Sequence, residues 1–318
     1  MSLRFIYDYP VINGTEIDML AAGPIDEVAV RAEESGFDGF ALTDHPVPGA
    51  RWLTSGGHQA LDPFVALGFA AAATTSLRLL THLAVAPYRN PFILAKAAAT
   101  VDKLSGGRMI LGLGAGYHKT EFFALGVDWE QRNALFDEVL DVLPLHWSGE
   151  PFSCQGLNFE ARDVIGRPRP VQDPIPIWIG GNSTLSRRRV TEKAQGWMPL
   201  LGSEQLHATT RTPRISTQDM AAMIAEIRDN AAAAGRTGQI ELLYSYQDHS
   251  LTADPSSGAD RHREAFAELE KIGVTYVNVS SPTRTTAETL GFIEAFGSTY
   301  LTASARNAGL PPRGRASR

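Results

Sequence analysis

Met109-Ile110-Leu111-Gly112-Leu113 is a strand-type run, and the segment after it places Phe136, Val139, Leu140, Leu143 and Trp147 at helical spacing on an otherwise polar background. The same unit recurs along the chain. Further strand-type runs, rich in β-branched and aromatic residues, lie at Arg4 to Tyr9, Gly39 to Thr43, Leu77 to Ala86, Ile175 to Ile179, Gly196 to Leu200, Ile240 to Tyr246 and Val274 to Ser280. Helix-type segments separate them, and one carries a second stripe of Met220, Met223, Ile224 and Ile227. Strict alternation implies parallel pairing, because each crossover needs a helix to return the chain to the same end of the sheet. Eight such units close into an α/β fold, the (β/α)8 TIM barrel, whose chemistry sits on the loops after the carboxyl ends of the strands. The rival is a doubly wound sheet that binds a dinucleotide. It would show its glycine fingerprint after the first strand, where this chain has Tyr9-Pro10.

One segment breaks the alternation. Glu150 to Asp173, with Phe152, Gly156, Leu157, Phe159 and several prolines, reads as an irregular or hairpin insertion before strand 5 that covers one end of the barrel. No interior linker appears, so residues 1–302 read as a single barrel domain with 150–173 as its insertion. Residues 303–318, with Pro311, Pro312 and four arginines, read as a flexible tail.

The net charge of −6 is modest and the basic residues are scattered, which argues against a nucleic-acid groove or an anionic membrane surface and favours a small-molecule substrate. Cys154 is the only cysteine, so no intramolecular disulfide and no cysteine metal cage is possible, which fits a reducing, cytoplasmic compartment. Strand-like sequence from Leu3 leaves no room for an export leader, and no run of roughly 18 apolar residues follows. The glycosylation-type triplets at Asn13, Asn182 and Asn278 are therefore assigned no function.

Three places on the expected carboxyl rim carry chemistry. Gly112-Leu113-Gly114-Ala115-Gly116 follows the fourth strand, and Gly180-Gly181-Asn182-Ser183 follows the fifth. Glycines let backbone amides approach an anion, and a helix start capped by Asn182 or Ser183 adds its field, so Gly114, Ala115, Gly116, Gly180, Gly181 and Asn182 form a candidate phosphate cradle. Tyr117 stands where a dinucleotide fingerprint needs its last glycine, and either turn alone also reads as a plain strand end. Arg187 and Arg188 add charge to the cradle or are solvated. Asp44-His45 closes the second strand ahead of Pro46. An imidazole titrates near neutrality, so His45 suits proton transfer beside a redox centre, with Asp44 orienting a ring or the imidazole; the alternative is a buried structural pair. His82, inside the third strand, reads as a packing or strand-end residue.

The remaining histidines, His118, His146, His207, His249 and His262, lie on separate segments without ligand spacing, so no metal site is expected. Ser105-Gly106-Gly107 is not a nucleophile elbow. The long loop Gly202 to Gln218, with His207, Arg211 and Arg214, is either a solvated loop or a lid whose arginines meet an acidic cofactor tail or substrate. Trp52 and Tyr246 either wall an apolar pocket or pack in the ordinary way.

Taken together and in order, Gly36-Phe37-Asp38, Thr43-Asp44-His45, Tyr88-Arg89-Asn90-Pro91, Ala95-Lys96, Leu104-Ser105-Gly106-Gly107-Arg108, Gly112-Leu113-Gly114-Ala115-Gly116 and Ile177-Trp178-Ile179-Gly180-Gly181-Asn182 resemble the bacterial luciferase-like oxidoreductases over nearly the whole barrel. The resemblance implies a barrel that holds reduced riboflavin phosphate (FMN) or the deazaflavin F420 over its mouth. Both carry a phosphate on a ribityl chain, which suits the two glycine turns. It also implies a non-proline cis peptide on the third strand supporting the central ring, here around Thr81-His82, with His82 in place of the usual small residue.

Asp44-His45 resembles the acid-histidine pair of F420-dependent members. The reading that follows is an F420-dependent oxidoreductase in which hydride passes between deazaflavin and a small organic substrate while His45 handles the proton. The alternatives are a reduced-FMN monooxygenase supplied by a flavin reductase, in place of an F420-reducing partner, and a non-catalytic flavin-binding barrel. The family also suggests a homodimer.

Overall fold

The computed structural model describes residues 3–14, 18–202, 204–281 and 285–301. Eight parallel strands form its centre: β1 (Arg4–Asp8), β2 (Gly39–Leu42), β3 (Arg78–Thr81), β4 (Met109–Gly114), β5 (Ile177–Gly180), β6 (Gly196–Met198), β7 (Glu241–Ser245) and β8 (Tyr276–Val279). Each pairs with the next in sequence, and β8 returns to β1 with Arg4 opposite Tyr276, so the sheet closes on itself. The longer helices between and after them are α1 (Ile25–Glu34), α2 (Pro63–Ala73), α3 (Pro91–Ser105), α4 (Arg132–Ser148), α5 (Thr184–Lys193), α6 (Thr217–Ala233), α7 (Ala259–Lys271) and α8 (Thr286–Tyr300), and short helices run over Ala50–Thr54, Lys119–Ala124, Glu204–Thr210 and His249–Ala253.

Strand periodicity sorts the core into two shells. Inside the barrel each strand contributes one residue to a single cluster: Ile6, Ala41, Leu80, Ile110, Trp178, Met198, Leu243 and Tyr276. Their neighbours along the strands, such as Phe5, Tyr7, Leu79 and Leu111, point outward to the helices, where Phe136, Val139, Leu140, Leu143 and Trp147 of α4 are all buried. In the second stripe Met220, Ile224 and Ile227 are buried and Met223 partly so. The helix starts are chemically marked: Asp62, Asn90 and Ser183 each accept amide hydrogen bonds as N-caps of α2, α3 and α5, and Pro63 and Pro91 stand at first helical positions. Arg108 is buried and donates to the carbonyls of Ala71, Thr74, Leu77 and Ser105, so the Leu104–Arg108 motif anchors the amino-terminal end of the barrel.

Two expectations are corrected. The third strand-type run is not continuous: β3 stops at Thr81, a cis peptide joins His82 to Leu83, and Ala84–Val85 then pairs with the end of β4. The cis bond is thus one position beyond Thr81-His82. The insertion contains a hairpin, Pro151–Gln155 against Glu160–Ile165, which lies against the helical layer and not over the barrel. Phe152 and Phe159 pack on Phe92 of α3 and the Leu157 amide donates to Glu138 of α4, so its apolar side is satisfied on the helical layer. The rest of the insertion, after the hairpin, does reach one end of the barrel, where Gln172 bonds Asp102 and the Met109 carbonyl. The expected tail, 303–318, lies outside the described residues. Among the described residues no helix is long and apolar enough to cross a membrane.

Candidate functional site

Asp44 and His45 follow β2 onto the carboxyl rim, and both are buried. Arg89 donates to Asp44 through both terminal nitrogens, at 2.5 and 3.0 Å, and the Val85 amide donates at 3.0 Å. Arg89 also reaches Asp62. Asp44 therefore ties the end of β2 to the segment after β3. The bonds of His45 go elsewhere: a carboxylate can only accept, so Nδ1–H donates to Glu121 at 3.1 Å, and Nε2 meets the Tyr117 hydroxyl at 3.3 Å.

Around His45 pack the rings of His58 and Trp52, at 4.7 and 4.8 Å, and Trp52 also stacks on His118. Burial pushes the Glu121 carboxyl up, but bonds from His45, Tyr88 and the Val47 amide outweigh it and hold the pKa below the usual range. Glu121 is thus a buried anion. Burial, reinforced by Glu121, raises Tyr117 to about 12 and keeps it a donor. His58 is pushed down to about 4 by burial and by His45 beside it.

The end of β3 divides its residues between two tasks. Thr81 is buried, and its hydroxyl donates to the Gly112 carbonyl and accepts from the Gly112 amide, so it stitches β3 to β4. His82 turns toward a cleft of about 480 Å³ formed with residues at and after the ends of β1, β7 and β8, including Asn13, Ser245, Tyr246 and Ser280. Its Nδ1 lies 2.7 Å from Asp8, which also accepts from Asn278 at 2.9 Å. Burial alone would lower the His82 pKa, but the charge and hydrogen bond of Asp8 outweigh it and raise the value.

The two glycine turns have a packing reason. A Cβ on Gly114 would lie 2.4 Å from a Leu83 methyl, and one on Gly180 2.2 Å from the other. These glycines leave room for Leu83, which rests on the inner barrel cluster. Gly116 and Gly181 have φ of 78° and 103°, where glycine is favoured. Ala115 and Gly116 are half-buried. Asn182 is consumed structurally: its Nδ2 donates to the Leu200 and Pro213 carbonyls and its Oδ1 accepts from the Leu200 amide. Ser183, not Asn182, caps α5, while Arg187 donates to the Asn182 carbonyl and Arg188 lies near Glu192. Next to Gly116, Phe122 packs on Trp129, and three cations gather round that indole: Arg132 at 3.9 Å, Lys119 at 5.2 Å and, at 5.9 Å, Arg211, which follows the helix Glu204–Thr210 that the structure forms within the segment expected to be a long loop. Among the described residues none of the three has a carboxylate partner.

The structure brings Glu121, Tyr117, Asp8 and Asn278 into the site, none of which the sequence reading nominated. Asp8 had a signal, since it stands next to the end of the first strand-type run as Asp44 follows the second. Glu121 had none, because its approach to His45 spans 76 residues. Among the described residues no group of three potential metal ligands converges.

A family model described as luciferase-like monooxygenase matches residues 12–295. An F420-dependent glucose-6-phosphate dehydrogenase of Beutenbergia cavernae is 31% identical over 259 residues, 77% of this chain and 70% of the relative. An FMNH2-dependent dimethylsulfone monooxygenase of Pseudomonas putida is 27% identical over 249 residues, 75% of this chain and 63% of the relative. The structure of coenzyme F420-dependent tetrahydromethanopterin reductase from Methanopyrus kandleri superposes with a TM-score of 0.68 at 18% identity, covering 94% of this chain and 98% of that one. This last likeness speaks for the fold alone.

Proposed function

The chain belongs to the luciferase-like monooxygenase family, and on that premise we propose that it is an F420-dependent oxidoreductase acting on a small organic substrate. The observation that carries the choice of cofactor is the group of Lys119, Arg132 and Arg211 around Trp129, beside the glycine turn after β4. A single phosphate is served by a few amides and a helix start, whereas the acidic tail of F420 calls for further cations beyond the cradle. When bound, the deazaflavin supplies a ring carbon that accepts or returns hydride and reacts poorly with oxygen.

The residues fit such a group. Leu83 fills the barrel mouth where a flat ring needs an apolar support, at the place the bare backbones of Gly114 and Gly180 leave for it. The amides of Ala115, Gly116 and Gly181, with the start of α5, would hold the phosphate. Asp44, through Arg89 and the Val85 amide, fixes the segment that carries Leu83's neighbours. His45 holds a proton at Nδ1 against Glu121 and exchanges one at Nε2 through the Tyr117 hydroxyl. Thr81 and Asn182 position the turns. The same reading takes the protein as a cytoplasmic homodimer served by an F420-reducing partner.

The monooxygenase relative favours a second reading, in which reduced FMN from a flavin reductase activates oxygen. Anaerobic incubation with F420 and a substrate panel separates the two. Loss of deazaflavin absorbance without oxygen is expected; oxygen uptake only with reduced FMN would replace the proposal with the alternative.

A further inference from the structure

The cleft holds a second rim histidine, His82. His45 is closed off: its side chain is 6% exposed and both nitrogens meet protein groups. His82 is 18% exposed and lines the cleft, with only Nδ1 engaged by a carboxylate. Among the described residues its Nε2 has no hydrogen-bond partner, yet it is not among the buried unsatisfied atoms, so it opens to the cleft. Asp8 fixes the tautomer that leaves the Nε2 lone pair outward, and Asn278 fixes Asp8. In the same wall the Oδ1 of Asn278, itself 5% exposed, is a buried acceptor with no partner. A carboxylate-anchored imidazole with its Nε2 lone pair toward the cleft is suited to take the one proton of a ligand hydroxyl.

We propose that His82, anchored by Asp8, is a catalytic acid–base group for an alcohol or carbonyl substrate bound in this cleft. The proposal rests on the reading of the chain as an F420-dependent oxidoreductase. In oxidation the hydroxyl O–H bond breaks and its proton passes to Nε2. The C–H bond breaks with its electron pair going as hydride to the bound deazaflavin, and the C=O bond forms. Reduction reverses each step. The proton released by the hydroxyl and the proton taken up by the reduced ring concern different atoms, so two acid–base groups have separate work: His82 at the substrate and His45 at the ring. Among the described lining residues no lysine or arginine occurs, and Asp248 is paired with Arg261, which suits a neutral oxygenated substrate over a phosphate ester.

The experiment has two parts on the full chain. Diethylpyrocarbonate, mapped by mass spectrometry, should acylate His82 well before His45, and Asp8→Asn should move the pH midpoint of that reaction downward. Acylation of His45 with His82 spared would overturn the assignment. In the second part, protein loaded with F420 is offered 2-propanol, cyclohexanol and glycerol. At least one should be oxidised, and His82→Gln should lower kcat by about 100-fold or more with F420 affinity and thermal midpoint kept. Binding of F420 with no alcohol oxidised overturns the substrate class, and an unchanged kcat in His82→Gln overturns the role. Failure to bind F420 at all instead sinks the cofactor reading, while the acylation pattern still judges His82.

Discussion

Two histidines stand on the same barrel rim in opposite surroundings. His45 sits in a closed knot of rings over the buried anion Glu121, whereas His82 hangs over an open cleft with one nitrogen bound and the other without a partner among the described residues. Both are anchored at Nδ1 by a carboxylate from another element, Glu121 of the short helix Lys119–Ala124 for His45 and Asp8 at the end of β1 for His82. What differs is the far nitrogen, so proximity to a carboxylate organises a histidine and exposure decides what it can exchange protons with.

The largest expected effect is at the closed site. His45→Ala should fold and bind F420 yet lose about 100-fold or more of turnover, measured as anaerobic deazaflavin absorbance change with an accepted substrate. Turnover like that of the unaltered protein would remove His45 from the chemistry.

Asp44 tests whether the acid next to it belongs to the same machinery. Its carboxylate is spent on Arg89 and the Val85 amide, so Asp44→Ala leaves a partly buried guanidinium short of its main partner and should cost about 3 kcal/mol in denaturant unfolding. Unchanged stability would return Asp44 to a role in catalysis.

The pH dependence of the closed knot has a definite sign. His58 titrates near 6.5 when unfolded and near 4 in the fold, so the unfolded chain binds its proton first. Stability should fall as pH drops from about 6.5 to 4, by up to about 3 kcal/mol from this group, and level off below. Thermal midpoints across that window should flatten in His58→Gln. An equally steep profile in that variant would assign the loss to other groups.

The smallest effect concerns the barrel mouth. Gly180→Ala should destabilise by about 1–3 kcal/mol because its methyl group meets Leu83, and adding Leu83→Ala should recover part of that loss. Additive losses would show that Leu83 is not what Gly180 accommodates.

Much of this was readable from the chain because it is local. The strand-helix units, the α4 stripe and the Asp44-His45 step at a strand end all follow from spacing within a few turns of sequence. What escaped depends on distant partners. Asp44 meets Arg89 across 45 residues, and Asn182 spends its amide on Leu200 and Pro213. Glycine is ambiguous in another way: the spacing of Gly114 and Gly180 suggests a phosphate cradle, but the atom nearest each missing Cβ belongs to Leu83. A bare backbone records that something comes close, not what. The break at His82–Leu83 is invisible in composition, since Leu77 to Ala86 keeps a strand's character across it, and only the family resemblance pointed to it, one position early.

The central claim is that this family member takes F420. An anaerobic fluorescence titration of the purified protein with F420, in parallel with FMN and reduced FMN, tests it most directly. The account predicts saturable binding of F420, tighter than either flavin and weakened when Arg132 and Arg211 are both replaced by alanine. Tight binding of reduced FMN with none of F420 would contradict it.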